Sequence, residues 1–380
     1  MNQRTYLDYN ATAPLRDEVH EAVVAALSLH GNPSSVHAEG RAARRAVEEA
    51  RAKVAALVGA DPEDVIFTSG GTEANALALA PRPGAPWRCY VSAVEHPSVL
   101  AGGRFEREDV SNFPVTADGV ADIEILAKEL AEPHLEGCRP FVSLMAANNE
   151  TGAIQPVAEA SRIVHEAGGL LHTDAVQAAG RIALDIEALG ADLLSLSAHK
   201  IGGPKGVGAL VLARGASAEP LIKGGSQERR RRAGTENVPA IVGFGVAAEL
   251  ALADLAEARA TARLRDALEE GALALAPDAV VLSARAERLP NTTCLAMPGV
   301  KAETVVIGLD LAGVAVSAGS ACSSGKVEAS HVLNAMGISE ELARGAIRVS
   351  LGFATTRADI NNFHKAFGEL VGRLRPKVAA

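Results

Sequence analysis

The sequence predicts an α/β protein in two parts, and three features carry that expectation. Runs of β-branched and aliphatic residues alternate with amphipathic stretches, the texture changes after Pro239, and charged residues stand where strands end. Residues 65–68, 89–92, 141–145, 170–172, 193–196 and 208–212 read as strands, with helical patterns such as 157–167 between them. That alternation implies a mainly parallel, mixed sheet covered by helices. Beyond Pro239 an Ala/Leu/Glu/Arg-rich pattern over about 240–276 reads as one or two helices; shorter strands and helices follow, and 357–374 reads as a closing amphipathic helix. A domain boundary is expected near residue 250. The large, cofactor-binding domain then covers 15–250, and a smaller α+β domain comprises 1–14 and 251–380.

Composition narrows the function classes. A chain of 380 residues is long for one core, which supports the two-domain reading. Apolar content of 48% against 22% charged fits a soluble globular protein. The net charge of −9 opposes neutralisation of a phosphate backbone, so no direct, stable nucleic-acid binding is expected. The run Glu228-Arg-Arg-Arg-Arg232 reads on the same ground as a solvated patch. The first residues lack the basic and apolar halves of a signal peptide and no apolar stretch reaches membrane-span length, so a cytoplasmic enzyme without membrane contact is expected. Cys89, Cys138, Cys294 and Cys322 show no CxxC spacing, which argues against a disulfide framework and a metal site. The first three read as small buried hydrophobes. Cys322 differs by context. The small-residue run Ser317-Ala-Gly-Ser-Ala-Cys322-Ser-Ser-Gly325 suits a mobile loop carrying a nucleophilic thiol.

The residues with chemistry stand at strand ends. Asp174 closes one apolar run and Lys200 follows another, and in an open α/β sheet the carboxyl ends of strands face the ligand crevice. An acid beside a pyridine nitrogen and an amine for a Schiff base suit pyridoxal phosphate; a surface salt bridge is the alternative. Thr68-Ser-Gly-Gly-Thr72 precedes a helix whose free N–H groups favour a phosphate, with Gly70 and Gly71 allowing close approach and Thr72 adding a hydroxyl; a glycine turn with Thr72 as N-cap is the alternative. His96 after the 89–92 strand can stack on a ring and exchange protons, or be satisfied by local backbone. Asn149 and Gln177 can hydrogen-bond a ring oxygen or carboxylate, or serve turn chemistry. Arg348, in the strand-like Ala346-Ile-Arg-Val-Ser-Leu351, suits bidentate carboxylate binding unless it is an edge-strand residue facing water.

Together these segments resemble the cysteine desulfurases, in the NifS/IscS-like branch of the class V aminotransferase family. Tyr6–Pro14, Gly31–His37, Thr68–Asn75, Glu95–Pro97, Asn148–Gly152, His172–Gln177, Ser197–Lys200, Arg232–Asn237, Ser317–Cys322 and Ile347–Gly352 carry the likeness, in family order along nearly the whole chain. The resemblance implies the aspartate aminotransferase-like fold type I of pyridoxal 5'-phosphate-dependent transferases, a homodimer, L-cysteine as substrate and a sulfur-acceptor protein, scaffold or carrier. It implies that Lys200 forms the Schiff base, that Asp174 pairs with the pyridinium nitrogen, and that Gln177 contacts the ring hydroxyl. His96 would stack and act as acid or base; Gly71, Thr72, Ser197 and His199 would hold the phosphate; and Thr235 would reach the neighbouring subunit's phosphate. Asn149 would contact cofactor and substrate, Arg348 the substrate carboxylate, and Cys322 would take the sulfur as a persulfide, with release of alanine. Two departures stand out. The chain ends soon after the closing helix, without the scaffold-docking extension of some relatives, and Cys322 is followed by Ser-Ser-Gly-Lys326. Transamination, selenocysteine lysis and simple phosphate binding remain competing readings.

Overall fold

The computed structural model describes residues 4–131, 137–318 and 330–374. Among the described residues the strands are β1 (Thr5–Tyr6), β2 (Val65–Thr68), β3 (Trp87–Ser92), β4 (Val110–Phe113), β5 (Arg139–Ser143), β6 (Leu170–Asp174) and β7 (Leu193–Ser197). They continue as β8 (Gly208–Leu212), β9 (Val280–Leu282), β10 (Thr292–Ala296), β11 (Val314–Ala315), β12 (Ser317–Ala318) and β13 (Ala346–Ser350). Seven of them form the main sheet in the order β2-β8-β7-β6-β5-β3-β4. The block from β7 to β4 is parallel, while β8 runs antiparallel to both β7 and β2. Two reversals restore direction, so β2 ends on the same edge as the parallel block.

That edge explains the sequence pattern. Strands β7 and β8 are buried at every position and β6 at all but its first, because helices cover both faces of the sheet. β4 escaped the sequence reading for the opposite reason: it is the outer strand, and only Phe113 of Val-Ser-Asn-Phe is buried. A second sheet, β12-β13-β10-β9, is antiparallel throughout. The helix Arg357–Leu374 covers a separate apolar cluster there, burying Ile360, Phe363, Phe367 and Leu370 at helical spacing. β1 pairs with β11, and Leu7 joins this second cluster.

The Ala/Leu-rich stretch forms two helices, Val238–Asp254 and Ala258–Leu275, joined by a 3-10 turn at Leu255–Glu257. One expectation is corrected here. This segment is long and apolar enough to cross a membrane by length and composition, although no such stretch was expected. Half of its most apolar window is buried within the protein. Val238–Asp254 packs against the helices Asp17–Ala26 and Ala38–Ala56, closely enough that a Cβ on Gly245 would meet the Ala50 backbone at 2.6 Å.

The arginine run is a second correction. Arg229 and Arg230 are exposed, but Glu228 is buried and accepts both guanidinium arms of Arg51, at 2.7 and 2.9 Å. The Phe67 N–H donates to the same carboxylate at 2.9 Å, and the Arg51 guanidinium lies 4.7 Å from the Phe67 ring centre. Glu228, Arg229 and Arg230 adopt φ of 45, 55 and 65°, a left-handed stretch that costs free energy at each residue and is held by this anchor. Arg232 then pairs with Glu73 in the first turn of the helix Gly71–Ala78, at 2.9 Å. Removing one partner leaves the other charge buried alone, so Glu228→Ala is expected to cost about 3–5 kcal/mol. Its thermal melting should fall well below that of wild type, with Glu228→Gln between the two; an unchanged melting temperature would contradict the anchoring role.

Candidate active site

Four strand ends and one helix start converge on the shared edge of the main sheet. Lys200 closes the 3-10 turn that follows β7, Asp174 is the last residue of β6, and His96 and Asn149 follow β3 and β5. Two residues, Ser69 and Gly70, separate β2 from the helix Gly71–Ala78. Between them lies a cavity of about 380 Å³. Of the expected site residues, Gly71, Thr72, His96, Asn149, Asp174, Gln177, Ser197, His199, Lys200 and Arg348 all line it. Thr235 does not: in the single chain it borders another cleft, beside Asn32 and Pro33. Cys322 lies outside the described residues.

Lys200 and Asp174 form no ion pair, which removes the salt-bridge reading of the two. The Lys200 Nζ donates to the main-chain oxygens of Asn10 and Ala11, at 2.6 and 2.8 Å. Burial, with the Arg348 and Arg181 charges next in weight, brings its pKa down to about 7, while Asp174 and Asp8 pull the other way. The Asp174 oxygens accept from neutral donors, the Val176 N–H at 3.0 Å and Asn75 Nδ2 at 2.7 Å. Asn75 stands one turn into the helix from Gly71, and so faces the same side. Gln177 donates from Nε2 to the Asn10 carbonyl at 3.0 Å.

At the other end of the cavity the first N–H groups of the helix Gly71–Ala78 lack carbonyls from a preceding turn, as at any helix start. The N-cap is Gly70, so Thr72 sits inside the first turn and its hydroxyl is not spent on capping. A Cβ on Gly71 would lie 2.9 Å from the Val176 side chain and 3.5 Å from Ser197 Cβ, so the wall here admits only glycine without a shift. Burial, then the Lys200 and Lys205 charges, lowers His199 to about 4, and its Nδ1 meets the Thr12 hydroxyl at 3.2 Å.

His96 caps its own short helix, with Nδ1 2.7 Å from Ser98 Oγ and 3.2 Å from the Ser98 N–H. Accepting that N–H at Nδ1 assigns the neutral ring's proton to Nε2. Partial burial lowers its pKa, and Asp174 opposes the shift. The neighbouring Glu95 points into the core, where it accepts the Met145 N–H at 2.6 Å and burial holds its pKa well above the usual carboxylate range. Arg348 lies on β13 between β12 and β10, only 5% exposed, and is therefore no edge residue facing water. It donates to Asp8 at 2.9 Å and to the Asn149 carbonyl at 3.1 Å, while its Nε has no partner among the described residues. Asn10, Asn75 and Arg181 are the site residues that local sequence reasoning missed. Asn10 and Asn75 lay inside stretches already singled out, but their roles depend on contacts 99 to 190 positions away.

The Aminotransferase class-V family matches residues 5–363. The chain belongs to this family. A cysteine desulfurase of Cereibacter sphaeroides is 47% identical over 382 residues, spanning 98% of this chain and 97% of its own length. Cysteine desulfurase IscS of Dictyoglomus turgidum is 43% identical, spanning 99% and 96%. The X-ray structure of a NifS-like protein from Rickettsia africae, 36% identical, matches with a TM-score of 0.89 over 97% of this chain and 99% of that one. The family fold is the type I fold expected from the sequence, and its cofactor is pyridoxal 5'-phosphate.

The residues present fit that cofactor. Helix N–H groups, the glycine wall and nearby cations suit a phosphate; Asp174, already oriented and without a cation, suits a protonated ring nitrogen; and Lys200 offers an amine free of carboxylate partners. In the cofactor-free protein, Lys200 is expected to acylate with a midpoint near pH 7, being protonated and inert below it and neutral above. Pulse labelling with peptide mapping checks this; labelling that begins only in the ordinary lysine range, near 10.5, would overturn it.

Proposed function

We propose that this chain is a pyridoxal phosphate-dependent cysteine desulfurase. It moves sulfur from L-cysteine to the Cys322 thiol and releases L-alanine. It acts as a cytoplasmic homodimer and passes the sulfur to an acceptor protein for iron–sulfur cluster assembly or related transfer. The observation that carries the reading is that Arg348 and Ser317, paired across β13 and β12, line the same cavity as Lys200. Arg348 suits the carboxylate of an amino acid. Ser317 stands five positions before Cys322, and five residues span at most roughly 18 Å. In this reading the cavity lies between a large domain, 15–250, and a smaller one built from 1–14 and 251–380.

Bound at Lys200, the cofactor supplies an electron sink for the charge released when the substrate's Cα–H bond breaks. The protein supplies the rest. Arg348 holds the carboxylate, with Asn149 beside it, so that Cα faces Lys200. The Lys200 amine, whose pKa is brought down to about 7, is increasingly uncharged above neutral pH and accepts the Cα proton. Asp174 fixes the cofactor's ring nitrogen, Gln177 its ring oxygen, and Gly71, Thr72, Ser197 and His199 its phosphate, with Thr235 of the second subunit completing that end. His96 donates or takes protons at Nε2. Cys322 attacks the substrate Sγ as a thiolate: the S–S bond forms, the Cβ–S bond breaks, and its electron pair stays on Cβ, which gains a proton. Cysteine and enzyme thiol become alanine and enzyme persulfide, with no external oxidant. Two of the other three thiols, Cys89 and Cys294, are poor candidates for this role. Burial pushes Cys89 up strongly and Cys294 to about 12.

Cys322→Ser is expected to keep the visible cofactor band and its response to cysteine while sulfide and persulfide production disappear; wild-type turnover in this variant would remove the proposal. Arg348→Lys loses the planar fork and should raise the KM for cysteine by about tenfold or more, read from steady-state alanine formation. An unchanged KM would place the carboxylate elsewhere.

A further inference from the structure

Arg181 has no place in the chemistry just described, yet it stands behind it. It lies four positions after Gln177, and its Nη1 donates to the Gln177 side-chain Oε1 at 2.6 Å. Gln177 Nε2 donates to the Asn10 carbonyl at 3.0 Å. A guanidinium can only donate and a carbonyl oxygen can only accept, so these two neighbours leave one orientation for the amide. Oε1 must face Arg181, and the second Nε2 hydrogen remains for the cavity that Gln177 lines. Arg181 forms no ion pair among the described residues. It borders a second cavity of about 220 Å³ on the far side of Lys200, where Arg16 holds Asp254 and Glu257 is the other acid.

We infer that Arg181 is a positioning residue: it locks the Gln177 amide so that Nε2 presents a hydrogen to the ring oxygen of pyridoxal phosphate, and it places a fixed positive charge behind Lys200. The inference deepens the cofactor reading and rests on it. The groups that act on Lys200 are Arg348 and Arg181 on one side of the balance and Asp174 and Asp8 on the other, with His96 and His199 also in electrostatic contact. Arg181 and Arg348 push in the same direction, against the protonated amine. A donor to the ring oxygen stabilises its anionic form, and so works with the charge rather than against it.

The test is the pH midpoint of the cofactor's visible absorption band in purified holoenzyme. Arg181→Met is expected to raise that midpoint by about one pH unit, because a fixed charge and a donor are lost together. In a Gln177→Leu background the same change should move it clearly less, since the part that acts through the amide is already gone. Arg181→Gln, neutral but still able to donate to Gln177, should fold where Met does not and give a smaller upward shift. An unmoved midpoint in both Arg181 variants overturns the inference, and so does an equal shift with and without Gln177. A wild-type protein with no visible band after incubation with pyridoxal phosphate would sink the cofactor reading itself, a result distinct from a normal band that the variants fail to move.

Discussion

Asn10 is the residue on which the geometry of the site depends. It is 1% exposed, and every polar group it carries is engaged. Its main-chain oxygen accepts from both Lys200 and Gln177, its N–H donates to Ser350, its side-chain amide donates to Thr292 and the Asn149 carbonyl, and its side-chain oxygen accepts from Asn291. One residue, through main chain and side chain together, thus ties the main sheet's strand ends to β10 and to the end of β13. A residue without this amide would lose the hydrogen bonds to Thr292, the Asn149 carbonyl and Asn291, each worth about 0.5–1.5 kcal/mol.

The same arrangement governs the electrostatics. Carbonyl oxygens rather than carboxylates receive the Lys200 amine, so no direct ion pair offsets the burial that disfavours its protonation. The whole chain carries −9, but Lys200, Arg348 and Arg181 gather around the cavity, where Asp174 and Asp8 are the acids that oppose them at Lys200. The site gathers positive charge inside an acidic protein, which favours anionic ligands there.

Much of this was legible in the residues. Strand ends announce themselves when an apolar run stops at a charged residue, and Asp174, Lys200 and His96 all did so; the glycines before Thr72 marked the helix start. What escaped was long-range. Nothing local distinguishes Asn10 from a turn asparagine or Arg181 from a solvated helix-end arginine, since their partners come from tertiary folding. Glu228 was misread because a run of arginines looks solvated until Arg51, 177 positions earlier, is placed beside it. β4 was silent because an outer strand need not be apolar. The Ala/Leu-rich stretch was legible as helices, and the apolar character of Val238–Asp254 serves helix contacts inside the protein.

The pairing of β1 with β11 has a consequence for how the chain is made. Residues 5–10 find their partners at 313–315 and 350, more than three hundred positions further along the chain. The main sheet can pair as soon as residue 212 is available, but the strand that leads to the Asn10 and Ala11 carbonyls has no partner until residues 313–350 are present. A nascent chain therefore holds a formed sheet with an unfinished lysine pocket during much of translation. Closing it is a loop-closure event over more than three hundred residues, among the slowest and most topologically demanding contacts in the molecule.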